Sequence, residues 1–343
     1  MNLLVTGGCG FIGSNFIRRI MADKTAGVKR LINLDALTYC GNPANVYQVM
    51  GDERYLFVKG DIRDKALVSA ILLNHQIDAV VDFAAESHID RSIDSPVAFI
   101  AGNILGTLNL TDCAAEHWDS LVNLNKPAGE TFRFVHVSTD EVFGSLDDNE
   151  PAFTENNPYR PNTPYAASKA AGDAIVRAYH HTYGFPAITV NCSNNYGPFQ
   201  FPEKLIPLVI QRALAGRPIT VHGTGSQVRD WIHVDDSCDA IRAVLAAGKC
   251  GETYNIGGMN EQTNEHMIRT ICAFLDVKRP RADGHSYATQ IIYGADRKGN
   301  DHRYAINCDK MRRELNWGPK VPFATGLPKT IDWYLQHHHF PIA

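Results

Sequence analysis

The sequence predicts an α/β fold, a doubly wound parallel sheet with a smaller, irregular C-terminal lobe. Three observations carry that expectation. Short runs that are apolar on both faces recur through the N-terminal half, as in strands covered by helices on both sides. Segments with helical spacing separate those runs, as βαβ units require. Beyond residue 192 the texture changes to stretches rich in Pro, Gly and turn residues.

The elements follow in order. Leu3-Leu4-Val5 is the first strand, a glycine cluster the turn after it, and Phe16-Ile17-Arg18-Arg19-Ile20 lies on the first helix. Arg30–Asp35 and Tyr55–Val58 are the next strands. Ala79–Phe83, Phe132–Val137 and Ala187–Val190 continue the series, with helical patterns over 63–75 and 96–117 between them. A helix over 164–183 has Thr163 as N-cap, Pro164 as its first residue, and Gly184 with Pro186 at its end. Further on, Asp230–Val234 reads as a strand and 235–247 as a helix, while 193–230 and 258–300 read as irregular. Residues 1–192 form the first domain, joined by returning segments near 231–257 and 301–325. The rest of 193–343, mainly 193–230 and 258–300, forms a substrate lobe.

Composition narrows the function. The chain has 343 residues, 44% hydrophobic and 20% charged, enough for one or two domains with a sizeable core. Lys plus Arg number 33 against 37 for Asp plus Glu, a net charge of -4, which does not suit a nucleic-acid surface. The eight cysteines include no CxxC pair and no zinc-finger spacing, so they read as reduced core residues of a cytoplasmic protein. No signal-peptide pattern opens the chain, and no apolar run approaches the ~18 residues of a membrane span. No membrane partner and no metal are expected. His337-His338-His339 reads as part of a frayed tail.

Three motifs carry chemistry. Thr6-Gly7-Gly8-Cys9-Gly10-Phe11-Ile12-Gly13 lies between the first strand and the first helix. Gly7, Gly10 and Gly13 allow a tight turn whose backbone approaches a pyrophosphate on the helix N-terminus, the Rossmann-like arrangement. Asp35 ends the second strand about twenty positions later, where a carboxylate bonds a ribose. It repels the 2′-phosphate of NADP, and residues 36–41 hold no Lys or Arg to offset it, so NAD is favoured and the first domain is its binding domain. In the second motif, Tyr165-Ala166-Ala167-Ser168-Lys169, a spacing of four puts Tyr165 and Lys169 on one helix face. A phenol titrates near ~10, and making it a base at pH 7 takes about 4 kcal/mol. One cation at ~5 Å and an effective dielectric of ~20 supplies about 3 kcal/mol; Lys169 and the positive nicotinamide ring together cover that gap. The third motif, Val137-Ser138-Thr139-Asp140-Glu141-Val142-Phe143-Gly144, follows a buried strand at the sheet end where α/β proteins bind ligands. Its paired carboxylates divide into acid and base if their surroundings separate their pKa values.

These residues resemble the extended short-chain dehydrogenase/reductase family. Within it, the chain resembles the dTDP-glucose 4,6-dehydratase branch through Phe83-Ala84-Ala85-Glu86-Ser87-His88, Ser138-Thr139-Asp140-Glu141-Val142, Asn191-Cys192-Ser193-Asn194-Asn195-Tyr196-Gly197-Pro198, Phe201-Pro202-Glu203-Lys204-Leu205-Ile206-Pro207, Arg229-Asp230-Trp231 and Tyr254-Asn255-Ile256-Gly257-Gly258. The likeness covers nearly the whole chain, and Thr139-Asp140-Glu141 is its most specific part. It implies NAD contacts at Phe11, Ile12, Asp35, Asp61, Ile62, Ala84, Tyr165, Lys169 and Asn195. It implies sugar-nucleotide contacts at Ser87, His88, Thr139, Asn194, Lys204, Leu205, Arg229, Asn264 and Arg297, three of them cations suited to a diphosphate. Catalysis would rest on Thr139, Asp140, Glu141, Tyr165 and Lys169. Tyr165 takes the C4 hydroxyl proton as C4 is oxidised, Glu141 removes the C5 proton, Asp140 protonates the leaving C6 hydroxyl, and C6 is then reduced. The resemblance also implies a homodimer through the helices at 96–117 and 164–183, the latter small or apolar at Ala166, Ala170, Ala174, Ile175 and Ala178. The chain departs from the family pattern at His222 (usually Tyr), Asn300 (usually His) and Gly102 (usually Thr). Three alternatives stay open at this point: the same reaction on UDP-glucose, a UDP-sugar 4-epimerase or decarboxylase, and a silent NAD-sensing regulator. Asp140 argues against the second, because neither reaction expels a C6 hydroxyl.

Overall fold

A computed structural model describes residues 1–337; His338 and His339 of the tail lie outside the described residues. Six strands follow the expected series: β1 (Asn2–Thr6), β2 (Arg30–Asp35), β3 (Tyr55–Lys59), β4 (Ala79–Asp82), β5 (Arg133–Thr139) and β6 (Ala187–Cys192). With Thr253–Ile256 they form one seven-stranded sheet. Thr253–Ile256 lies beside β6, followed by β5, β4, β1, β2 and β3, and every neighbouring pair is parallel. The order reverses between β1 and β4, which opens a crevice at the strands' C-terminal ends.

Apolar side chains cover both faces of this sheet. Leu3, Val5, Val81, Val135 and Val190 pack on one side with the helices Phe11–Ala22 and Val234–Ala247. Leu4, Ile32, Val80 and Phe134 pack on the other, against Lys65–Asn74 and Pro164–Tyr183. The latter helix has the expected ends. Thr163 Oγ1 accepts from the Ala166 N–H (3.1 Å), and Gly184 closes it at φ 71°.

Two elements differ from expectation. The helix expected over 96–117 runs from Pro96 to Asn123, 28 residues, with a π-helical stretch at Ile100–Gly106. It is long and apolar enough to cross a membrane, although no short run in the sequence is. Its polar residues Asn103, Thr107 and Thr111 are buried in the protein, however, and it packs along Lys65–Asn74 and Pro164–Tyr183. The stretch 258–300 is not simply irregular either. It contains the helix Asn264–Lys278, whose Met267, Ile268, Ile271, Cys272 and Leu275 are buried. The stripe is legible, but flanking turns conceal it.

The C-terminal lobe has its own core, with Ile206, Ile210, Ile219, Trp231, Ile268 and Leu327. Small sheets brace it: Val228–His233 lies between Asn194–Tyr196 and Glu261–Thr263, and Ile219–His222 pairs with Ile291–Gly294. Ile306, Met311 and Trp317 join the core of the seven-stranded sheet instead, where Asp309–Leu315 packs on Thr253–Ile256, so the chain crosses between the lobes more than once.

Candidate active site

A cleft of ≈ 390 Å³ lies over the C-terminal ends of β1, β2, β4, β5 and β6. On one side is the glycine turn. Gly7 has φ 66°, and a Cβ built on Gly13 would stand 2.4 Å from the Gly7 carbonyl oxygen, so the helix N-terminus meets the turn closely only with glycine there. The Asp35 carboxylate accepts from the Cys9 N–H (2.8 Å) and the Leu37 N–H (2.8 Å). Burial raises its pKa, and those two bonds oppose the rise. Gly7, Gly10, Phe11, Ile12, Gly13, Asp35, Asp61, Ile62, Ala84 and Asn195 all line this part of the cleft, as do Tyr165 and Lys169. Arg63 also lines it, but it is paired with Asp61 at 2.6 Å. A glycine cradle closed to any Cβ and a buried carboxylate at the end of β2 fit a dinucleotide with a free ribose 2′-hydroxyl.

Of the residues expected to react, Thr139, Glu141, Tyr165 and Lys169 line the cleft beside that cradle. β5 ends at Thr139, and a 3₁₀ turn over Asp140–Phe143 carries the two carboxylates. The Thr139 hydroxyl donates to Asp140 Oδ1 (3.3 Å) and accepts from the Glu141 N–H (3.3 Å). Asp140 is 2% exposed and lies behind the cleft wall rather than in it. Burial pushes its carboxyl well above the usual range, and the charges of Glu141 and Asp230 add to this against Arg229. Glu141 does line the cleft. Burial raises it also, but Lys204, Arg229 and Arg297 pull it back toward the charged form. The two carboxyls therefore sit in unlike surroundings.

Tyr165 packs edge-on against Phe99 with ring centroids 6.3 Å apart. Burial, then Glu141, raise its phenol, and a hydrogen bond with Thr139 opposes them. Lys169 lines the cleft together with Tyr165, with its amine held at β5. Lys169 Nζ donates to the Val137 carbonyl (2.8 Å) and lies 3.4 Å from His136 Nε2. Spacing of four does put both residues on one face, but the long lysine stem reaches past the phenol to β5.

The expected substrate residues divide. Ser87, Thr139, Asn194 and Lys204 line the cleft, with Lys204 Nζ donating to the Ser87 carbonyl (2.7 Å). His88, Leu205, Arg229, Asn264 and Arg297 are not among its lining residues. His88 lies 3.4 Å from Glu203, Leu205 opens the helix after Lys204, and the Asn264 N–H donates to the Gln227 carbonyl. Arg229 donates to Asn300 Oδ1 (3.0 Å) and the Asp301 carbonyl (2.9 Å), and stacks over Tyr304 with Cζ 4.3 Å from the ring centroid. Arg297 is paired with Asp90 at 2.6 Å. Of three cations expected at a diphosphate, only Lys204 faces the cleft; the other two bind protein oxygens. Asn300, one of the departures, thus holds Arg229, while His222 ends its strand facing the Ala295 carbonyl. A Cβ at Gly102 would meet only Glu86 Cγ, at 3.7 Å.

Several groups in the site escaped the sequence reading. Glu203 and Phe201 line the cleft, and Glu203 accepts from the Tyr39 hydroxyl (2.9 Å) across the two lobes. Asn103 holds the Glu86 backbone through both its N–H and its carbonyl (2.8 and 2.9 Å). Asp230 acts on Asp140, and Glu141 on Tyr304, only through tertiary approach. Their neighbours in sequence carried the signal for Glu203 and Asp230; nothing local marks Asn103 or Tyr304. Among the described residues no group of three or more His, Cys, Asp or Glu side chains is arranged to hold a metal.

The chain is similar to known proteins over almost its whole length. The family described as GDP-mannose 4,6 dehydratase matches residues 4–330. A dTDP-glucose 4,6-dehydratase of Xanthomonas campestris pv. campestris (strain B100) is 54% identical over 332 residues, covering 97% of this chain and 92% of that protein. The crystal structure of DesIV, a dTDP-glucose 4,6-dehydratase from Streptomyces venezuelae with NAD and TYD bound, superposes with a TM-score of 0.90 at 44% identity, covering 99% and 98% of the two chains. A Thermus thermophilus UDP-glucose 4-epimerase in complex with NAD has a TM-score of 0.83 at 27% identity, covering 98% and 99%.

Proposed function

For a chain that belongs to the GDP-mannose 4,6-dehydratase family, we propose NAD-dependent dehydration of dTDP-glucose to its 4-keto-6-deoxy product. The observation that carries it is the Thr139-Asp140-Glu141 turn facing Tyr165. It sits in a chain 54% identical to one dTDP-glucose 4,6-dehydratase. Bound NAD would supply a reversible hydride acceptor. Gly7, Gly10 and Gly13 would shape its cradle, Asp35 would receive the ribose, and Asp61, Ile62, Ala84 and Asn195, which line the cleft, would form its bed.

The side chains then divide the proton work. Tyr165 Oη takes the C4 hydroxyl proton, with the Thr139 hydroxyl beside it and Lys169 supplying positive charge from below. A ketone at C4 acidifies the C5–H. Glu141, raised by burial and Asp301 but drawn back toward its charged form by Lys204, Arg229 and Arg297, removes that proton. Asp140, kept protonated by burial, Glu141 and Asp230, delivers its proton to the C6 hydroxyl, which leaves as water. After C6 is reduced, Glu141 returns its proton to C5. The balance is substrate less one water, with one proton gained at Tyr165 and one lost at Asp140. Two neighbouring carboxyls with separated pKa values can serve as acid and base together. A 4-epimerase leaves the C6 hydroxyl in place and has no use for an acid at Asp140.

We assign residues 1–192, with the returning segments, to NAD and the segments 193–230 and 258–300 to the sugar nucleotide. Ser87, Asn194 and Lys204 hold it from the cleft wall, with His88, Leu205, Arg229, Asn264 and Arg297 behind them. A homodimer is also proposed. Val97, Ile100, Leu105 and Leu108 are exposed on the Pro96–Asn123 helix, and Ala174 and Ala178 are exposed on the helix packed against it. Ala166, expected on that face, is 1% exposed and turned inward. All eight cysteines are free, which suits the reducing cytoplasm. The decisive experiment incubates the protein with dTDP-, UDP-, CDP- and GDP-glucose and follows loss of water by mass spectrometry. Turnover led by dTDP-glucose is expected; better turnover of UDP-glucose would overturn the choice of nucleotide.

A further inference from the structure

Beneath Lys169, on the side away from the cleft, lies a charged cluster that this reaction does not use. Asp82 is 1% exposed, His136 0%, Lys169 3% and Asp173 4%. They come from three elements: the end of β4, the middle of β5, and two successive turns of the Pro164–Tyr183 helix. His136 Nδ1 lies 2.8 Å from Asp82 Oδ2, whose other oxygen accepts from the Thr6 hydroxyl at 2.6 Å. His136 Nε2 lies 3.3 Å from Asp173 Oδ1 and 3.4 Å from Lys169 Nζ. Asp173 Oδ2 accepts from the Ser138 hydroxyl at 2.8 Å. Gly172 lies over the imidazole, where a Cβ would stand 3.4 Å from His136 Nε2 and 3.1 Å from the Asn103 carbonyl oxygen.

Burying this many charges together is expensive, and removing one partner leaves another uncompensated. Lys169 is the member with work to do in the cleft. Burial lowers its pKa, and Asp173 and then Asp82 oppose this. Cys192 is the other titratable group that faces it, and Tyr159 faces Asp173 from outside the helix. Asp82 is also pushed upward by burial, but the His136 bond and Lys169 leave it lowered. The lysine thus has two carboxylates behind it and one imidazole in contact.

We propose that Asp173 is a positioning residue which, with Asp82 and His136, keeps the Lys169 amine charged and seated at the floor of the cleft. The cation that supports Tyr165 is therefore set from behind the sheet, by groups that touch neither substrate nor cofactor. This rests on the dehydratase reading for its kinetic consequence but not for the charge itself. Asp173 and the amine share His136 Nε2, at 3.3 and 3.4 Å; loss of a carboxylate that near shifts the lysine by on the order of one to two pH units at an effective dielectric of ~20 or more.

The test compares the purified wild-type holoprotein with Asp173→Asn, Asp173→Glu and Asp82→Asn. Two measurements are made: kcat and KM for dTDP-glucose across pH, and the pH at which Lys169 is reductively methylated, mapped by mass spectrometry. For Asp173→Asn the alkaline fall of kcat should come about one to two pH units earlier, with KM changed less than about twofold. Methylation of Lys169 should begin earlier by the same interval. Asp173→Glu should restore both, and Asp82→Asn should move both in the same direction. A uniform loss of kcat at every pH with unchanged methylation would make Asp173 merely structural and overturn the proposal, as would wild-type behaviour in the Asn variants. Absence of sugar-nucleotide turnover by the wild type would overturn the dehydratase reading, while the methylation shift would still decide the charge of Lys169.

Discussion

Asp140→Asn separates the acid from the base more sharply than any other change. Asparagine keeps the shape of the side chain and can still accept from the Thr139 hydroxyl, now at 3.3 Å, but it has no proton to give. C4 oxidation uses Tyr165 and should survive. Loss of water should slow by about 10²–10⁴, the usual worth of a general acid, or about 2.7–5.5 kcal/mol at 1.36 kcal/mol per decade. Because oxidation then outruns elimination, reduced cofactor should build up on the enzyme in the first turnover. Stopped-flow absorbance reads that build-up, and quenched-flow mass spectrometry reads the missing water. The same change has a sign for stability. Folding raises the Asp140 pKa through burial, Glu141 and Asp230, so its contribution to stability is fully present below the unfolded pKa and declines as pH rises through the window up to the folded value. The asparagine variant does not titrate, so its melting temperature should gain on the wild type as pH rises through that window. A variant that forms product at nearly the wild-type rate, with no accumulated reduced cofactor, would show that Asp140 is not the acid and would refute the division of roles.

Four other outcomes are expected. Glu141→Gln should still allow oxidation, but should slow exchange of the C5 hydrogen with deuterated solvent by at least about a hundredfold; unchanged exchange would remove Glu141 as the base. Tyr165→Phe should abolish build-up of reduced cofactor, and any build-up at the wild-type rate would assign the first proton elsewhere. Gly13→Ala should lose bound NAD, because its Cβ would stand 2.4 Å from the Gly7 carbonyl; full NAD content after purification would contradict the cradle. Leu105→Lys, which places a charge on an exposed apolar face (54% exposed), should halve the mass seen in sedimentation, whereas a wild-type protein already monomeric at micromolar concentration would remove the dimer.

Much of this was legible in the sequence because it depends on neighbours along the chain. Leu3–Val5 and Phe134–Val137 are apolar on both faces because their strands lie between helix layers. Thr163, Pro164 and Gly184 bound a helix through their own backbone preferences, and Gly7 and Gly13 mark a turn in which a Cβ would clash with backbone. Tyr165 with Lys169, and Asp140 with Glu141, are short-range pairs whose spacing fixes their common location. Even the buried stripe on Asn264–Lys278 was open to reading.

What only the tertiary structure decided is where the long side chains go and which charges meet. Lysine and arginine carry their charges several bonds from the backbone, so position in sequence leaves their partners free. Lys169 therefore reaches Val137 and His136 rather than the phenol, and Arg229 and Arg297 turn to Asn300 and Asp90. Asp140 owes part of its proton to Asp230, and Asn103 holds Glu86 from a π-helical turn. Such contacts join residues far apart in sequence, brought together by a sheet whose strand order is not the chain order. Where these contacts are buried, a low local dielectric magnifies both attraction and desolvation. The sequence therefore names the candidate groups, whereas the packed sheet sets the charges and burial around them.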